Sequence, residues 1–230
     1  MTDAGRASPP AADAGGVTPE DQSDAGPTAS AVGLWAETLQ SLASYVAHDL
    51  RNALNGVAVN LEVVRGRSAR GAEASAIAPF AANAAAQFEG ASAGTEALLA
   101  FARPESGDPD VGAIAVRVAQ LVGLRNPSLL RVTDAVPGKA RTSVPADVAR
   151  SVVARSVLAA LGQGDAVACE ITVGRDIFLR ITGTSHTLPP PDPELAAVAS
   201  ANGVRFALRG NVLEIRFPVS SPRVTPAAPA

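Results

Sequence analysis

Between Ala31 and Arg65 the apolar residues Leu39, Leu42, Val46, Leu50, Leu54, Val57, Leu61 and Val64 recur at steps of three or four. That is the period of an α-helix with one buried stripe, and eight such positions approach coiled-coil regularity. Gly66–Gly71 reads as a loop. A second stripe follows in Ile77, Phe80, Ala84, Phe88, Ala91, Thr95, Leu98 and Ala102. It stops before Arg103-Pro104, because proline cannot continue a helix. Two long helices joined by a short loop pack antiparallel. A lone hairpin of this kind leaves apolar surface wet, and pairing two hairpins into a four-helix bundle buries it. A homodimer is therefore expected.

The pattern changes after Pro104. Residues 108–219 alternate helix and strand signals. Val111–Leu124, Pro145–Leu161 and Glu194–Ala201 are predicted helices. Leu129–Thr133, Val167–Val173, Ile177–Thr182, Val204–Arg209 and Val212–Val219 are predicted strands, the last two joined by a Gly210-Asn211 turn. A layer of strands under helices makes an α/β sandwich. The expected organisation is thus a helical hairpin over residues 31–104 and an α/β unit over 108–219. Residues 1–30 contain no Leu and no aromatic residue, and residues 220–230 have the same polar, proline-rich character. Both ends are expected to be disordered tails.

Charge and composition narrow the classes. The formal net charge is −3, the pI is about 5.4, and aromatic residues make up 3% of the chain. With no basic stripe, a nucleic-acid surface is not expected. No apolar run reaches the ~18 residues that a membrane helix needs, and no basic-then-apolar leader opens the chain. A cytoplasmic protein is expected. Cys169 is the only cysteine, which excludes an intramolecular disulfide or a cysteine-built metal cage. Its apolar setting, AVACEITV, predicts a buried packing thiol.

Candidate chemistry lies on the first helix. His48 falls between Val46 and Leu50 but off their stripe, with Asp49 beside it and Asn52 and Asn55 four and seven residues on. A wet-face imidazole is a competent nucleophile near neutral pH. An adjacent carboxylate can hold one ring nitrogen and favour the charged ring as a bond forms at the other. Asn52 is suited to placing a water. Arg51 is suited to steering an acidic partner or a phosphoryl group. The other histidine, His186, has no cysteine, histidine or paired acids near it and reads as a loop residue.

The run HDLRNALN, on a regular apolar stripe, resembles the H-box of sensor histidine kinases. His48, Asp49, Leu50, Arg51, Asn52 and Leu54 match that pattern, while its frequent proline is Ala53 here. HDLRNALNGVAVNLEVV is also similar to ChpT-type histidine phosphotransferases. The resemblance implies a dimerisation and phosphoacceptor hairpin, with response-regulator receiver domains as partners. It also implies that residues 108–219 correspond to the family's ATPase-like domain. There the match fails at chemical positions. The family's two N-box asparagines fall on Arg155 and Ala159, the second being the one that holds magnesium, and its adenine-reading aspartate falls on Gly183. Its loop glycines fall on Ser185 and Thr187. The expected fold is therefore a dimeric four-helix bundle followed by a degenerate histidine-kinase ATPase-like α/β sandwich. The expected role is a histidine phosphotransferase working through His48, with no cofactor bound tightly, no ATP binding on these losses, and Mg2+ supplied by the receiver. A sensor kinase with a divergent ATP site, or a phosphatase or sequestering partner, is the alternative.

Overall fold

A computed structural model of the chain describes residues 27–104, 107–123, 128–162, 166–184 and 187–220. Among the described residues the fold mixes five helices with one five-stranded sheet. Helices α1 (Pro27–Ser68) and α2 (Ala74–Ala102) form the hairpin. Then come α3 (Val111–Val122), β1 (Leu130–Thr133), α4 (Ala146–Leu161), β2 (Val167–Val173), β3 (Asp176–Gly183), α5 (Pro193–Ala201), β4 (Arg205–Arg209) and β5 (Val212–Pro218). Helix α1 starts at Pro27, so residues 27–30 belong to its first turn and not to a tail, as proline is well suited to a helix start. Residues 1–26 and 221–230, together with Leu124, Ser185 and His186, lie outside the described residues.

Local chemistry sets the joints. Arg67, in the last turn of α1, donates to the Ala76 carbonyl at 2.8 Å and lies 4.5 Å over the Phe80 ring, closing the hairpin. Asp110 caps α3 by accepting from Ala113 N at 2.8 Å. Asp192 caps α5, with Pro193 at its first position. Gly210, at φ 61°, takes the left-handed conformation that the two-residue turn into β5 requires.

The sheet order is β1-β2-β3-β5-β4, with β1 parallel to β2 and the other pairs antiparallel. Cys169 pairs with Ile181, and Leu179 with Ile215, on the face that the helices cover. Cys169 is buried there, and burial pushes its thiol from 9.0 up to about 12.

The two stripes of the hairpin are wider than one partner helix can cover. Helix α2 meets α1 through small residues, with Ala84, Ala91 and Gly94 buried in the seam. Such residues let the helices approach closely, so only one edge of each stripe is hidden. Leu54 and Leu61 are each 52% exposed, and Phe88 is 58% exposed, where the stripes predicted burial. Near the end of α2 the buried positions are Gly94 and Phe101, while Thr95 points outward.

The first turns of α1 pack elsewhere. Leu34, Leu42 and Val46 are fully buried in one core with Val152 and Val153 of α4 and Leu195 of α5. Trp35 stacks at a tilt on Phe101, centroids 5.6 Å apart. Buried Arg150 of α4 sits 5.6 Å over the Trp35 ring and donates to the Arg103 carbonyl at 2.8 Å, satisfying the end of α2. The core runs without a break from the hairpin into the sheet.

Two outcomes follow from this packing. Phe101→Ala is expected to cost about 3–5 kcal/mol in denaturant unfolding. Trp35 fluorescence and far-UV circular dichroism should report one coincident transition, and two separated transitions would disprove the shared core. Cys169 should resist alkylation in the folded protein and react at once in denaturant. Because its folded pKa is raised, the unfolded chain loses the thiol proton first as pH climbs. The thiol's share of stability should therefore be intact below pH 9 and fall progressively toward pH 12, as read by denaturant midpoints of wild type against Cys169→Ala.

Candidate functional site

His48 projects from the middle of α1 just beyond the segment held in the core. Its side chain is 60% exposed, whereas that of Asp49 is only 10% exposed. Asp49 is therefore not part of an open polar strip. It is tucked beside the helix–helix groove, while Asn52, Asn55 and Arg51 are exposed. One helical step of about 100° separates neighbours, which turns Asp49 toward α2 and leaves His48 outside.

Both side-chain contacts of the imidazole fall on one nitrogen. Nδ1 lies 3.3 Å from Asp49 Oδ1 and 3.3 Å from Asn52 Nδ2. Among the described residues none hydrogen-bonds Nε2. With Nδ1 protonated and donating to Asp49, the lone pair resides on Nε2, facing solvent. The Asn52 amide stands alongside, able to turn its oxygen toward the ring or toward a water. The structure thus brings His48, Asp49 and Asn52 together. Arg51 stays outside that contact set.

A cavity of about 460 Å³ opens between α1 and α2 beside this group, and Asp49, Asn52, Ala53, Ala86, Gln87 and Gly90 border it. Gln87 was not singled out by sequence reasoning. A Cβ at Gly56 would come within 2.5 Å of Gln87 Oε1, so the missing side chain makes room for that amide. Asn60 then donates to the Gly56 carbonyl at 2.9 Å and to Gln87 Oε1 at 3.2 Å. A lone glycine inside a strong helical pattern was the available signal of this close approach.

The other region with expected chemistry lies between α4 and α5. Arg155 reaches Glu37 of α1 at 3.2 Å and Asp192 at 3.3 Å. Ala159 is exposed and offers no oxygen. Arg155, Ser156, Ala159, Asp192 and the Pro189–Pro191 run border a cavity of about 190 Å³. That is below the ~300 Å³ at which small-molecule pockets begin. Gly183 is buried at the end of β3, its backbone tied to Asn211 by two hydrogen bonds of 3.0 and 2.9 Å. Thr187 is exposed. Among the described residues no group of three or more His, Cys, Asp or Glu side chains is placed to hold a metal ion, and no helix is long and apolar enough to cross a membrane.

No protein-family profile matches the chain, and no curated protein matches it. Among solved structures, the chain is similar to the Acinetobacter baumannii histidine kinase AdeS at 11% identity, with a TM-score of 0.34, over 76% of this chain and 98% of that one.

Proposed function

We propose that this chain is a histidine phosphotransferase of two-component signalling, passing phosphoryl groups to and from receiver domains through His48. The observation that carries the reading is the imidazole's setting. Nδ1 is engaged by Asp49 at 3.3 Å while the imidazole, on a continuous helix, is 60% exposed and leaves Nε2 without a hydrogen-bond partner among the described residues. In the transfer, Nε2 attacks phosphorus as the bond to the partner's carboxylate oxygen breaks, and the carboxylate leaves. Nδ1 keeps its proton, shared with Asp49, which offsets the positive charge that grows on the ring. Passing the group onward reverses these steps. Magnesium comes with the receiver, since phosphoryl transfer depends mainly on positioning and charge neutralisation. Arg51 steers the acidic partner, and Asn52 holds a water when the group is lost to hydrolysis.

Three further features support the reading. Leu54, Leu61, Phe88 and Leu99 leave large apolar side chains more than half exposed along the hairpin. Pairing with a second hairpin covers them, as a dimeric four-helix bundle does. The cavity bordered by Asp49 and Asn52, the two residues that contact the imidazole, offers a partner a recess beside the hairpin. At the position of the nucleotide site, Arg155 is engaged by two acids and Ala159 cannot ligate magnesium, which disfavours the alternative of an active kinase.

Radiolabel transfer separates the readings. A phosphorylated receiver domain should label the wild type, and His48→Ala should reduce labelling to background while leaving a folded dimer. ATP alone should give no label. Asn52→Ala should slow loss of phosphate and leave transfer within about threefold, a difference under 1 kcal/mol. Label from ATP would establish a kinase. Loss of receiver phosphate without any label on His48 would establish a phosphatase.

A further inference from the structure

The helices α3, α4 and α5 cover one face of the sheet, and the other is open. Across the open face the strand register lines up Glu170–Arg180–Glu214–Ala207 and, beside it, Thr172–Phe178–Arg216–Arg205. Arg180 pairs with Glu170 at 3.2 Å and Glu214 at 3.3 Å, and Arg216 pairs with Asp176 at 2.7 Å. The acids of these strands are thereby matched. Arg205 and Arg209 are exposed and, among the described residues, take no ion pair. Arg205 also stands directly opposite Arg216, a like-charge cross-strand pair that is destabilising by itself.

Both unmatched arginines lie on β4, the outermost strand, which pairs only with β5. Among the described residues no strand lies beside its far edge, which presents backbone N–H and C=O groups. On the opposite side of β4, Leu208 is 36% exposed although its partner Leu213 is buried. The edge therefore combines three features: two cations on one face, an incompletely covered apolar side chain on the other, and a free hydrogen-bonding ladder.

We propose that the β4 edge is a docking site for an acidic, extended segment of another protein, which adds to the sheet as a further strand. The period of two in a strand sets carboxylates over Arg205 and Arg209, about 13 Å apart, and an apolar side chain over Leu208. The same cations repel a second copy of β4, so the edge rejects self-pairing while it accepts an acidic strand. This inference stands apart from any role of His48.

The test titrates a short peptide alternating aspartate and valine into the isotope-labelled full chain, with a lysine–valine peptide as control. The aspartate peptide should shift amide signals of residues 205–209 saturably and slow their exchange. Binding should weaken roughly tenfold from low to high salt. The double variant Arg205→Glu, Arg209→Glu should abolish it, and the control should not bind. Arg205→Gln with Arg209→Gln should weaken it and serves if charge reversal disturbs folding, judged by Trp35 fluorescence. Three results would each overturn the proposal: shifts spread over other arginine-bearing surfaces, undiminished binding to the glutamate variant, or equal occupancy of the same strand by a single-stranded oligonucleotide.

Discussion

The burial of α1 between Leu34 and Val46 against α4 and α5 is the contact on which the rest of the structure depends. Leu34, Leu42 and Val46 supply apolar area, Trp35 meets Phe101, and Arg150 ties the end of α2 to α4. Each fully buried leucine contributes roughly 1.5–3 kcal/mol relative to exposure. Glu37–Arg155–Asp192 adds a polar bridge at the rim, and with side chains 23–58% exposed it contributes little beyond orientation. Holding α1 at its base has a consequence further along. The helix continues unbroken where it leaves the core, and His48 sits on that stretch.

Fixed placement and exposure are reconciled by helix geometry. A histidine on a loop would be wet but poorly aimed, and a histidine in the core would be aimed but unreachable. On α1 the imidazole is wet, while its neighbour Asp49 is nearly covered and so has few alternative positions. A carboxylate with restricted freedom fixes the ring through Nδ1 and leaves Nε2 outward. The close approach at Gly56 sets the α1–α2 spacing and so shapes the cavity next to that pair.

At the C-terminal unit, Arg155 and Gly183 both make contacts that join elements. Arg155 bridges two elements, and the Gly183 backbone is tied to Asn211. The proline run and Ala159 leave a cavity of about 190 Å³.

Much of this was legible in the chain itself. The three-four stripes located α1 and α2, and the alternating runs located the five strands, because side-chain period follows directly from backbone geometry. Pro104 after the second helix and Gly210 between the last two strands marked ends for the same local reason. The HDLRN run located His48, Asp49 and Asn52 on one stretch of helix. Only the tertiary structure decided which edge of each stripe is hidden, leaving Leu54, Leu61 and Phe88 outside. It also decided that Asp49 is sheltered and His48 is not, that Gln87 enters the clearing at Gly56, and that Arg155 meets Glu37 across more than a hundred residues. A helical period states which residues share a face. What that face meets depends on distant parts of the chain, and no local pattern carries that information.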